Sequence, residues 1–126
     1  MNEGMVYLAE ILNDPDTKIL WEENVILFDA PHIVYITIPK KRTLYNIFDS
    51  GAIEMSIMAA ATEHGVDSVA AYGTIKYPNT LRKYMKIPDD EDIIIGVALG
   101  FEDKGHILSK IKAKRLTLDE ACHFYD

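Results

Sequence analysis

Two stretches of the chain place residue types where a planar, phosphorylated ligand could be held. In Ala71-Tyr72-Gly73 an apolar strand runs into a glycine, offering backbone N–H groups to ring heteroatoms. In Lys110-Ile111-Lys112-Ala113-Lys114-Arg115, the side chains of Lys112 and Arg115 offer cationic donors to a phosphate. Gly73 suits a turn with positive φ, or a close approach of main chain to a ligand. The same residues also read as a structural turn and a solvated basic tail.

Other chemistry finds little support. His32, His64, His106 and His123 share no helical i, i+3 or i+4 spacing. Cys122 adjoins His123, but one Cys–His pair cannot close a tetrahedral zinc site. The sequence contains neither G-x-x-x-x-G-K-[ST] nor G-x-G-x-x-G. Ser50-Gly51 lacks the pattern of a nucleophile elbow. The acidic run Asp89-Asp90-Glu91-Asp92 lacks EF-hand spacing and glycine, and reads as a solvated loop.

Charge narrows the partners. Thirteen basic and twenty acidic side chains leave a net charge of −7, the opposite of what phosphate neutralisation on a nucleic acid requires. Yet Lys104, Lys110, Lys112, Lys114 and Arg115 fall within 104–115, a segment free of acids that could meet an anionic ligand. One cysteine forms no internal disulfide, which points to a reducing compartment. No apolar run approaches the ~20 residues that span a bilayer, and the acidic N-terminus lacks the basic start of a secretory signal. The expectation is a cytoplasmic protein with one domain over residues 1–126, bound to neither membrane nor nucleic acid.

The elements that would position these groups alternate. Residues Met5–Leu12 read as a short helix closed by Asn13-Asp14-Pro15, and residues 24–29 are an ambiguous apolar stretch. His32–Ile38 is a β-branched strand stopped by Pro39, apolar enough to suggest burial on both faces. Residues 49–64 read as the central helix, with Asp49 or Ser50 as the N-cap and Gly65 as the left-handed exit. That helix is apolar nearly all round, so it must be buried or lie against a partner chain. A short strand over 68–72, a short helix over 79–86 and a strong strand over 93–101 follow. Gly96 and Gly100 suggest close backbone approach or a bulge in the last strand. Thr117-Leu118-Asp119-Glu120 has the capping-box pattern of a final helical turn. Three strands make a thin sheet whose order the pattern does not give. The thin sheet and the apolar helix together predict a protein that is not a monomer.

The order of these segments resembles the FMN-dependent nitroreductase family, in its nitrobenzoate-reductase-like branch. The resemblance rests on Phe28-Asp29-Ala30-Pro31-His32-Ile33-Val34-Tyr35, Asp49-Ser50-Gly51 and Met58–Ser68. Tyr77–Lys83, Ile87–Glu91, Gly96–Phe101 and Lys114–Glu120 continue it in order, from about residue 24 to 126.

What the resemblance implies is an α+β fold, a three-layer α/β/α sandwich with a mostly antiparallel sheet, built as a homodimer with FMN at the subunit interface. The implied activity is reduction of nitroaromatics or quinones at the expense of NAD(P)H, with the flavin carrying the chemistry. The family's flavin-ring loop falls on Ala71, Tyr72 and Gly73, and its phosphate-contacting basic tail on Lys112 and Arg115. The family's N-terminal segment, rich in arginine and serine, has no counterpart in residues 1–23, which contain no arginine. The expectation is therefore an N-terminally truncated domain covering the C-terminal two-thirds. The alternative is a nitroreductase-fold remnant that holds FMN weakly and acts as a dimeric binding module.

Overall fold

The computed structural model describes residues 12–13, 17–112 and 115–125. Within them, helix α1 (Lys18–Val25) precedes strand β1 (His32–Pro39), and the long helix α2 (Leu44–Glu63) leads into β2 (Asp67–Ala71). Helix α3 (Pro78–Met85), strand β3 (Glu91–Gly100) and the short helix α4 (Leu118–Ala121) complete the order. Three 3₁₀ turns, Leu27–Asp29, Tyr72–Ile75 and Ile107–Lys110, join them. Of the helix expected over Met5–Leu12, only Leu12 lies among the described residues.

The sheet has the order β1-β3-β2, with both pairings antiparallel. The last strand in sequence is therefore the central one. Its composition explains the choice: Ile93-Ile94-Ile95 followed by Gly96-Val97-Ala98 combines β-branched bulk with small residues that allow neighbours on both sides. Val97 is fully buried, at 0% exposure, and Gly96 and Ala98 are buried with it. Strand β1, at the edge, buries Ile36 and Ile38 and leaves His32 and Pro39 exposed, so it is not covered on both faces as its apolar run suggests. The register shifts between Ile36 and Thr37, the one irregularity in that pairing. The bulge thus falls beside the isoleucine run rather than at either glycine.

Helix α2 begins six or seven residues earlier than a cap at Asp49 or Ser50 would place it. Its N-cap is Thr43, whose backbone N–H donates to Asn46 Oδ1 at 3.0 Å. Asp49 and Ser50 are interior residues, and the Ser50 hydroxyl donates to the Ile47 carbonyl at 2.7 Å. The far end agrees with expectation: Gly65 has φ +70, and the N–H of Val66 donates to the Ala61 carbonyl at 2.9 Å.

The helix packs against all three strands, but the sheet covers only a narrow stripe of it. Ser50 is its one buried residue, at 4% exposure. Leu44, Tyr45, Phe48, Ile53 and Met55 all face outward, with Phe48 76% exposed. An apolar surface this continuous is unusual for a lone domain.

Two further readings change on inspection. The ambiguous stretch over 24–29 is the end of α1 followed by three consecutive left-handed residues, Leu27, Phe28 and Asp29, with φ between 50 and 58. In the run Asp89–Asp92, read as a solvated loop, Glu91 and Asp92 belong to β3. Glu91 accepts a hydrogen bond from the Thr37 hydroxyl, and Asp92 pairs with Arg42 at 2.5 Å.

Candidate functional site

Strand β2 delivers the chain to the first candidate segment. Ala71, the last residue of β2, is 1% exposed and stands opposite Gly96 of β3. The next residue, Tyr72, is 75% exposed and opens the 3₁₀ turn Tyr72–Ile75. Over two residues the chain passes from the core to the surface.

The turn is braced from three sides. Thr74 is buried, and its hydroxyl donates to the Ala71 carbonyl at 2.6 Å. Tyr35 of β1 lies close by, its Cε1 near the point where a Gly96 Cβ would meet the Thr74 hydroxyl; burial lifts the Tyr35 phenol above its ordinary range, and the neighbouring Thr74 hydroxyl offsets part of the rise. Third, α1 lies against the turn. A Cβ added at Gly73 would overlap the Asn24 Oδ1 and stand 2.7 and 2.8 Å from Asn24 Cγ and Cβ.

Gly73 therefore answers one of its two expectations and departs from the other. Its φ is not positive; among the described glycines only Gly65 has that geometry. The close approach is real, but within this structure it is to the side chain of Asn24. Asn24 is fixed in turn, its amide donating to the Leu20 carbonyl at 2.7 Å. Past the turn, the Lys76 ammonium stands 5.8 Å from the Trp21 ring and 5.7 Å from the Tyr77 ring.

The second candidate segment follows β3. His106 Nδ1 accepts the N–H of Leu108 at 3.3 Å and so caps the 3₁₀ turn Ile107–Lys110, while Nε2 lies 3.4 Å from Glu23 of α1. Helix α1 thus touches both segments, the turn through Asn24 and the tail through Glu23. Beyond that turn come Lys112 and Arg115; Lys114 lies outside the described residues. Arg115 is exposed, and no described residue accepts a hydrogen bond from it. After it the expected capping box is present. The Thr117 N–H donates to the Glu120 carboxylate at 2.8 Å, and the Glu120 N–H returns to the Thr117 hydroxyl at 3.4 Å. Hydrogen bonds from the Thr117 backbone and then its side chain hold the Glu120 carboxyl below the usual carboxylate range.

These donors suit a flavin mononucleotide in kind. Ala71–Gly73 carry neutral backbone N–H groups at the end of β2, beside the exposed Tyr72, and Arg115 carries a guanidinium with no acceptor among the described residues, the kind of donor a phosphate takes. Three residues that shape the turn escaped sequence reading: Asn24, Tyr35 and Thr74. Gly96 was the available signal. A Cβ there would overlap the Thr74 hydroxyl and come within 3.1 Å of Tyr35 Cε1, so the glycine marks where the two side chains meet.

A sequence model of the nitroreductase family matches residues 6–101, which includes the turn Ala71–Gly73 and stops short of Lys112 and Arg115. The 4-nitrobenzoate reductase of Nocardioides sp. (strain LMS-CY) is 25% identical over 109 residues, 86% of this chain and 44% of that protein. The chloronitrobenzene nitroreductase of Comamonas testosteroni is 26% identical over 104 residues, 82% of this chain and 45% of that protein. The chain thus spans less than half the length of the curated relatives it matches.

Among solved structures, the FMN and NADPH-dependent nitroreductase NfnB from Sphigopyxis sp. strain HMH superposes with a TM-score of 0.82 at 22% identity, over 95% of this chain and 56% of that one. The FMN-dependent nitroreductase NfnB from Mycobacterium smegmatis, solved in complex with NADPH, gives 0.81 at 22%, over 94% of this chain and 55% of that one. The fold is that of these enzymes, an α+β arrangement on an antiparallel sheet. No described helix is long and apolar enough to cross a membrane. With three-quarters of its length matched in one continuous span, the chain belongs to the nitroreductase family.

Proposed function

We propose that the chain binds FMN as a homodimer and serves an NAD(P)H-dependent reduction of nitroaromatics or quinones. When bound, FMN supplies the redox chemistry, accepting hydride equivalents from NAD(P)H and passing them to the acceptor. The protein's part is placement. Backbone groups of Ala71, Tyr72 and Gly73 would meet the edge of the flavin ring, and Lys112 and Arg115 would meet the phosphate. The outward apolar face of α2 would bury itself against a second copy and keep water from the cofactor. The observation that carries the reading is the family match across the turn that ends β2, taken with the nitroreductase fold around it.

A fluorescence titration of FMN with the purified chain tests this. Arg115→Ala is expected to lose about 1.5–3 kcal/mol of FMN affinity, the range of a hydrogen bond to a charged group. Riboflavin, lacking the phosphate, is expected to bind more weakly than FMN to the unaltered chain and to lose no affinity in the variant. Equal binding of riboflavin and FMN by the unaltered chain would make the tail a solvated face. Light scattering is expected to give twice the 14.3 kDa chain mass at micromolar concentration. A value at 14.3 kDa would remove the dimer.

A second reading has its own support. The curated relatives are more than twice as long as the part this chain matches. A nitroreductase-fold module that dimerises but holds FMN weakly would use the same α2 face. A dimer that stays colourless after incubation with FMN selects it.

A further inference from the structure

Helix α1 meets the two candidate segments through adjacent residues. A Cβ at Gly73 would overlap the Asn24 Oδ1, and the Glu23 carboxylate lies 3.4 Å from His106 Nε2. The Cα atoms of neighbouring residues stand about 3.8 Å apart, so the turn after β2 and the root of the basic tail, distant in sequence, converge on one turn of this helix. His106 is set for the contact by its own surroundings. Its Nδ1 accepts the Leu108 N–H at 3.3 Å, which leaves the proton of the neutral ring on Nε2, toward the carboxylate. Bonds within the segment give it its shape: the Gly105 N–H donates to Asp103 Oδ1 at 2.8 Å, the Ser109 hydroxyl to the Asp103 carbonyl at 2.7 Å, and the Ile111 N–H to the Leu108 carbonyl at 3.1 Å. Such local bonds do not say where the segment sits on the protein. A contact to another element does, and Glu23 and His106, both partly buried, make one.

We propose that Glu23 and His106 are positioning residues that tether the root of the basic tail to the turn of α1 where Asn24 meets Gly73. Lys112 directly follows Ile111, whose N–H closes the 3₁₀ turn on Leu108, so holding His106 fixes the point from which the tail departs. The gain is preorganisation. In FMN the ring and the phosphate are joined by a flexible ribityl chain, and a protein that already holds the donors for both against one helix has less freedom to lose on binding. The role toward FMN rests on the reading above; the tether between α1 and the tail does not.

Urea unfolding without flavin and parallel titrations with FMN and riboflavin, all on the intact chain, separate the two. Glu23→Gln keeps the shape of the side chain and removes its charge. His106→Asn keeps an oxygen able to accept the Leu108 N–H but falls short of Glu23. In urea the double variant is expected to be no less stable than the worse single one, as for two groups that act through one contact. Each variant is expected to weaken FMN binding about three- to fivefold, the size of a partly exposed ion pair, and to leave riboflavin binding unchanged. That split marks a role toward the phosphate, since a general loss of stability would weaken both flavins alike. Strictly additive losses in urea overturn the tether. FMN and riboflavin falling together, or FMN affinity undiminished, overturns the positioning while leaving the FMN reading intact. If the unaltered chain takes up no FMN, that reading fails and the positioning with it, and the urea cycle still decides the tether.

Discussion

Gly96→Ala is expected to lower stability by about 1–3 kcal/mol, the cost of forcing a methyl group into a packed core, and most of that cost should vanish when Thr74 is also shortened. The added Cβ would overlap the Thr74 hydroxyl first; the next atoms, Tyr35 Cε1 at 3.1 Å and Ile33 Cγ2 at 3.3 Å, need to give by only a few tenths of an ångström. In a Thr74→Ala background the same substitution should therefore cost less than about 1 kcal/mol, leaving a coupling within the range of contacting residues. Thr74→Ala has a cost of its own, from the hydrogen bond to the Ala71 carbonyl that it removes. For that reason the four-way urea cycle is the informative measurement. An equal Gly96→Ala penalty in both backgrounds would mean that the glycine serves the sheet alone and that the two side chains do not meet across it.

Gly73→Ala is expected to act on a helix rather than on a ligand. The new methyl group would overlap the Asn24 Oδ1, which rotation could relieve, and would stand 2.8 Å from Asn24 Cβ, which no rotation can move away. Helix α1 must then shift from the turn. The expected cost is again about 1–3 kcal/mol, and Asn24→Gly should return much of it, less the roughly 0.5 kcal/mol lost in helix propensity. The chain's one tryptophan, Trp21, reports the movement, because it lies on α1 under the Lys76 ammonium. Its fluorescence is expected to change in Gly73→Ala and to return in the double variant. If Gly73→Ala leaves Trp21 emission and stability untouched, α1 does not rest on this turn. The larger Gly73→Val adds the same displacement, so lost flavin in that variant would not by itself place position 73 against the ring.

What was legible in the sequence follows from locality. Strands β1 and β3 are runs of Ile and Val, and a β-branched run between prolines or glycines admits few other readings. The end of α2 was plain because Gly65 meets a left-handed demand of the adjoining turn. Its start was misplaced because Asp49 and Ser50 are good caps wherever they stand, while Thr43 follows the basic residues Lys40, Lys41 and Arg42 and looks like loop. Nothing in the sequence says that Ser50 will satisfy itself on the Ile47 carbonyl inside the helix.

The site divides the same way. Ala71, Tyr72 and Gly73 were found because strand, aromatic and glycine are adjacent, and Lys112 and Arg115 because a basic run is visible at once. Asn24 on α1, Tyr35 on β1 and Thr74 within the turn itself come together around Gly73 and Gly96. Their meeting depends on β3 entering between β1 and β2, a strand order that no local pattern encodes. The exposed face of α2 was half foreseen: its apolar circumference demanded cover, and the sheet covers only the stripe around Ser50.

Native mass spectrometry of the chain after incubation with FMN and removal of free flavin tests the account most directly, since one spectrum reports both assembly and cofactor. The expected species is a dimer of the 14.3 kDa chain carrying one FMN per chain. A flavin-free species at the mass of a single chain would contradict it.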